Sequence, residues 1–99
     1  MKINQYIQQY RSTTSLQTPH VKCRDGFTMS VQAGKDDIYS IPRGMADHYE
    51  NVEVGRVSAH VPEFTKYEEG SVFPFVPCSV VDKVIDNHGG IVLSRRLFS

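Results

Sequence analysis

His20-x-x-Cys23 has the spacing of a pair of metal ligands, and Cys78 with His88 would complete a Cys2His2 set of the kind that holds zinc. A paired C-x-x-C knuckle is missing, however. Cys23 falls on the inward face of a predicted hairpin, and Cys78 opens a predicted helix beside its apolar stripe. Lone cysteines in such places more often serve as small buried hydrophobes. No metal or cofactor is assigned. Nucleophilic chemistry has no better footing: there is no G-x-S-x-G elbow, and Gly34-Lys35 lacks the rest of a phosphate-binding loop. Asp36-Asp37 and Glu68-Glu69 read as solvated turns. A hydrolytic site would have to be assembled from His48, His60, Asp47 and Glu53, scattered residues whose spacing defines no mechanism. The chain is therefore read as non-enzymatic, with no catalytic residue assigned and a metal-dependent enzyme as the last of three alternatives.

Binding is the better reading. Tyr39, Arg43, Asp47, His48 and Tyr49 gather aromatic and charged side chains in one stretch, and Tyr and Arg are favoured anchors of protein interfaces. The same tyrosines with Arg95-Arg96 form a thin version of a single-stranded nucleic-acid platform. Eleven acidic against eleven basic side chains leave no excess of positive charge, which argues against an electrostatic nucleic-acid binder. A small nucleic-acid-binding regulator is thus the second alternative, behind a protein binder. Zero net charge also leaves little repulsion between copies, so monomer and homodimer are both expected states. No apolar stretch has the length of a membrane span or signal segment, and the two cysteines form no disulfide framework; a reduced, cytoplasmic protein is expected.

These residues need elements to position them. Val80, Val81, Val84 and Ile85 recur at helical spacing and make one apolar stripe. Pro77 suits the first turn, His88-Gly89-Gly90 makes a stop signal, and Asp82, Lys83, Asp86 and Asn87 fall on the polar face. The spacing predicts a helix over residues 77–89. Ile3, Tyr6, Ile7 and Tyr10 predict a short amino-terminal helix over Lys2–Arg11, followed by a linker to residue 19.

Residues 20–76 read as a β-meander. In V-K-C-R-D-G-F-T-M-S-V, a two-residue Asp25-Gly26 turn would split the apolar residues between two faces. A three-residue loop, Arg24-Asp25-Gly26 with Gly26 left-handed, pairs Cys23 with Phe27 and Val21 with Met29, so that all five apolar side chains share one face. Ile38–Pro42 is expected as an edge strand, because Pro42 cannot donate to a ladder. Asn51–Val61 is expected as a strand with a bulge at Gly55-Arg56, where the apolar phase changes. Val72–Val76 is expected as a last short strand interrupted by Pro74, Ile91–Leu93 is expected to add a terminal strand, and Ser94–Ser99 is expected to fray as a basic-apolar tail. Ninety-nine residues make one domain. The fold class is α+β: an antiparallel meander of three to five strands with the carboxyl-terminal helix on one face.

Over Asp25–Ile91 the order D-G-F-T-M-S-V-Q-A, I-P-R, V-E-V-G-R-V-S, V-P-E and F-V-P-C-S-V-V-D-K-V-I-D-N-H-G-G-I resembles a group of small phage- and prophage-encoded accessory proteins. The chain departs from the group in carrying Tyr39-Ser40 where a tyrosine-cysteine pair precedes Pro-Arg, which puts any role of that cysteine in doubt. The resemblance brings no catalytic residues with it. It implies a protein that acts by binding and disabling a host protein, restriction or CRISPR machinery included. The expected contact surface is an exposed sheet edge with the Tyr39–Tyr49 region.

Overall fold

The β1–β2 hairpin sets the register of the sheet. In the computed structural model, which describes residues 1–36 and 38–93, Val21 pairs with Met29, and the Cys23 N–H donates to the Phe27 carbonyl at 2.8 Å. The loop is Arg24-Asp25-Gly26, and Gly26 takes a φ of +96°, a left-handed conformation that costs a residue without Cβ little. Val21, Cys23, Phe27, Met29 and Val31 are all buried on one face, as the three-residue loop requires.

The elements run α1 (Ile3–Tyr10), β1 (Val21–Lys22), β2 (Thr28–Gln32), β3 (Asn51–Gly55), a 3-10 helix (Pro62–Tyr67), β4 (Val72–Pro77) and α2 (Cys78–Asn87). The four strands form one antiparallel sheet in chain order, with both helices contributing to a core on the same side. Ile3, Tyr6 and Ile7 of α1 and Val81, Val84 and Ile85 of α2 join Met29, Val31, Val52, Val54 and Val76 in one buried cluster. Val80 is only half-buried, so the α2 stripe centres on Val81, Val84 and Ile85. Each of those aliphatics contributes roughly 1.5–3 kcal/mol on burial, which offsets the weak helix propensity of valine.

The α2 carboxyl end closes as the His-Gly-Gly signal predicts. Gly90 N–H bonds the Ile85 carbonyl at 2.9 Å and Gly89 N–H the Asp86 carbonyl at 3.1 Å, with Gly89 left-handed at φ +91°. A Cβ on Gly89 would lie 3.0 Å from the Arg24 Cβ, so this glycine also admits the hairpin loop. The amino end of α2 differs from expectation: Pro77 closes β4 and precedes the helix instead of filling its first turn.

Several expectations are corrected by long-range contacts. Ile38–Pro42 is not a strand; one bridge joins Ile41 to Asn51, and the remainder folds beside the sheet. β3 ends at Gly55 instead of running to Val61. Arg56 turns left-handed at φ +48°, and Ser58 then ties back to Thr28 through its N–H and its hydroxyl. The β3–β4 bulge lies on the other strand: Val52 pairs with Val76 and Val54 with Phe73, so Pro74 and Phe75 together oppose Glu53. A bulge is where a strand tolerates proline. Ile91 contributes a single bridge to Cys23, while the expected tail at residues 94–99 lies outside the described residues.

Asp82 does not sit on a purely solvated face. Its Oδ1 accepts the Ile3 N–H at 2.8 Å, so α2 caps the start of α1, whose own N-cap residue Lys2 makes no side-chain cap.

Candidate functional site

Both edges of the sheet are closed. Beside β1, Ile91 bridges Cys23, Val92 N–H donates to the Lys22 carbonyl at 2.8 Å, and Arg24 N–H donates to the Gly90 carbonyl at 3.0 Å. On β4, Pro74 and Pro77 lack N–H groups, Val72 exchanges hydrogen bonds with Glu69, and the Phe75 N–H is taken by the Tyr39 carbonyl at 3.3 Å. Edge pairing with another chain therefore has little to grip. This corrects the expectation of an open strand edge.

The sheet face away from the helices is polar. Ser30 and Gln32 are buried there, and Gln32 is fixed at three points: it accepts the Thr18 N–H at 2.8 Å and donates to the Thr18 carbonyl at 2.8 Å and the Ser30 hydroxyl at 3.0 Å. Beside it runs a groove of about 380 Å³, floored by Ser30, Gln32, Glu53 and Gly55 and walled by Ile38 and Arg56. At the bulge opposite Glu53, Phe75 stands in a left-handed conformation at φ +54° and is 39% exposed. Tyr39, itself 45% exposed, sets its ring 5.5 Å from the Phe75 ring between centroids in a tilted pair. Asn51 Nδ2 donates to the Phe75 carbonyl at 2.9 Å and holds the turned backbone in place.

The structure divides the five sequence-predicted residues. Tyr39, Arg43, Asp47 and His48 are exposed, and His48 lines a second, open groove that includes Lys2, Glu50, Cys78 and Asp82. Tyr49 is not a surface anchor. It is 1% exposed, and its hydroxyl accepts from Arg11 Nη1 at 2.8 Å and from the Ala46 N–H at 2.9 Å while donating to the Gly44 carbonyl at 2.8 Å. Its backbone is clasped by the Asn4 side chain, which accepts the Tyr49 N–H at 2.8 Å and donates to the Tyr49 carbonyl at 2.9 Å. Tyr49 thus shapes the loop that presents Arg43, Asp47 and His48. Sequence reasoning missed Phe75, whose only signal was its place beside Pro74 in a short strand.

The two cysteines and His88 are otherwise engaged. Cys23 and Cys78 are both buried as free thiols. Burial and Asp25 push the Cys23 thiol up; burial and the charge of Asp82 push Cys78 up to about 11, the reverse of what a nucleophile needs. His88 Nδ1 lies 2.6 Å from Asp25 Oδ2, and its ring stacks on Phe27 at 4.1 Å between centroids. That pair joins the end of α2 to the hairpin loop. The Phe27 N–H and His88 together hold the Asp25 carboxyl below its ordinary range. Among the described residues no group of three or more His, Cys, Asp or Glu is placed to hold a metal ion. No described helix is long and apolar enough to cross a membrane. In comparisons with protein-family models, curated proteins and solved structures, the chain matches none.

Proposed function

We propose that this chain is a non-enzymatic binding protein that engages another protein through Tyr39, Phe75 and the neighbouring Ile41, with Arg43 flanking them. The observation that carries this reading is the left-handed Phe75. For a bulky residue that backbone conformation costs about 1–2 kcal/mol, and here it turns an aromatic ring outward at a bulge, against a second exposed aromatic. A strand optimised for stability alone would place glycine or asparagine there. Exposed aromatics held rigid by backbone hydrogen bonds lose little side-chain freedom on binding, which suits them to anchor an interface. Ile41, also exposed, adds apolar area two residues from Tyr39. In the form implied by the resemblance to phage accessory proteins, the partner is a host protein, and binding disables it; a component of restriction or CRISPR machinery is the kind of target meant.

The test is affinity capture from bacterial lysate with tagged wild type and a Tyr39→Ser, Phe75→Asn double variant, each with and without nuclease. Asparagine tolerates the left-handed backbone, so the variant keeps the turn and loses the ring. One protein retained after nuclease by the wild type and lost by the variant is expected. Equal capture by the variant, with an unchanged circular dichroism spectrum, overturns the surface. Capture that disappears with nuclease overturns the protein-binding reading in favour of nucleic acid.

A further inference from the structure

We propose a second, independent site: the recess beside β1 binds a small monocarboxylate with an apolar body. The recess has a volume of about 360 Å³, within the range of roughly 300–1,000 Å³ common for small-ligand sites. Tyr6, Pro19, Val92 and Leu93 make its wall apolar. The Tyr6 hydroxyl is turned away from ligand chemistry, because it donates to the backbone carbonyls of Pro19 and His20 at 3.3 and 3.1 Å.

Each of its polar side chains can donate a hydrogen bond. Lys22, His20 and Thr28 complete the lining, and among the described residues no acidic one joins them. Lys22 and the His20 ring make no ion pair or hydrogen bond with any described residue, and the Thr28 hydroxyl has no described partner either. Lysine donates through its ammonium, a histidine ring keeps at least one N–H in either protonation state, and a threonine hydroxyl rotates to suit its acceptor. Other recesses carry both signs of charge: Glu53 with Arg56, Glu63 with Lys66, and Glu50 and Asp82 with Lys2. In a chain of zero net charge, a recess with a lysine and, among the described residues, no acid is a local asymmetry that favours an anion. The apolar wall asks for a hydrocarbon body behind the charged head. A carboxylate meets the donors with charge-assisted hydrogen bonds, about twice as strong as neutral ones. The size and apolarity of the space fit an aromatic or branched aliphatic acid, not a bare inorganic anion.

The site lies across the sheet from Tyr39 and Phe75, so it stands or falls separately from the protein-binding reading. The experiment titrates isotope-labelled protein with hydrocinnamate, its neutral amide and N-acetylphenylalanine, following amide resonances by NMR. Hydrocinnamate is expected to move Lys22, Thr28 and Val92 selectively, and the neutral amide to bind about tenfold more weakly. Lys22→Gln, a change at an exposed side chain, should weaken hydrocinnamate by a similar factor while leaving the other resonances in place. Equal affinity for acid and amide overturns the proposal, since the recess would then read the apolar body alone. The absence of selective shifts around Lys22 also overturns it. Binding of N-acetylphenylalanine without hydrocinnamate supports a carboxylate site and makes a peptide carboxyl terminus the acid it reads.

Discussion

Tyr49→Phe removes one oxygen atom and three hydrogen bonds. The ring can stay where it is, buried among Ala46 and its neighbours, so little packing is lost. What is lost is the hydroxyl that accepts from Arg11 and Ala46 and donates to Gly44, at 2.8, 2.9 and 2.8 Å. One charge-assisted bond at about 1.5–3 kcal/mol and two neutral ones at about 0.5–1.5 kcal/mol each give an upper range of about 2.5–6 kcal/mol. Arg11 retains the Ala46 carbonyl at 3.3 Å and a long contact to the Ala33 carbonyl at 3.5 Å, so the outcome falls in the lower half, about 3 kcal/mol. For a domain of this size that corresponds to a Tm lower by roughly 12–24 °C. Urea denaturation followed by far-UV circular dichroism measures it, with an unchanged m value showing that the denatured state is unaffected. Amide exchange at Ala46 should accelerate as well, because its N–H loses its partner. Gly34→Ala should damage the same cluster from the other side: its Cβ would stand 2.5 Å from the Tyr49 hydroxyl, at a backbone φ of +91°. A Tyr49→Phe loss below about 1 kcal/mol would refute the reasoning, since the hydroxyl would then be exchanging its partners freely for water.

Three further outcomes are expected. Asp82→Ala removes the acceptor for the Ile3 N–H and should cost about 0.5–2 kcal/mol in the same denaturation assay, with the amides of α1 exchanging faster than those of β2. The folded Asp25 carboxyl is held below its unfolded value of about 3.9 by the Phe27 N–H and His88, so its contribution is present above that pH and is lost as pH falls through the folded value. Asp25→Asn should therefore flatten the acid side of the stability profile below about pH 4 and leave its slope near neutrality less affected; an unchanged acid limb would count against the assignment. Cys23 and Cys78 are buried, with their thiols shifted upward, so a thiol reagent at pH near 8 should label neither in native protein and both in urea. Rapid native labelling of Cys78 would show that the α2 amino end opens more readily than its packing indicates.

Local patterns in the sequence determine the hairpin register, the two helices and the α+β class. Each is written in neighbouring residues: five apolar side chains that share a face only around a three-residue loop, an aliphatic stripe at helical spacing, and a His-Gly-Gly stop. Tertiary structure decided the rest. Tyr49 and Tyr39 look alike along the chain, yet Arg11, thirty-eight residues before Tyr49, draws that hydroxyl into the core, while Tyr39 stays at the surface beside Phe75. Asp82 has a polar-face position on its helix and caps another helix seventy-nine residues away. The strand read through to Val61 stops at Gly55 because Ser58 finds partners on Thr28, and the bulge moves to β4, where Pro74 cannot donate. Periodicity reports which side chains avoid water; it carries no information about which distant donor meets which acceptor. The candidate surface depends on that second kind of pairing, and so it became legible only once the chain was folded.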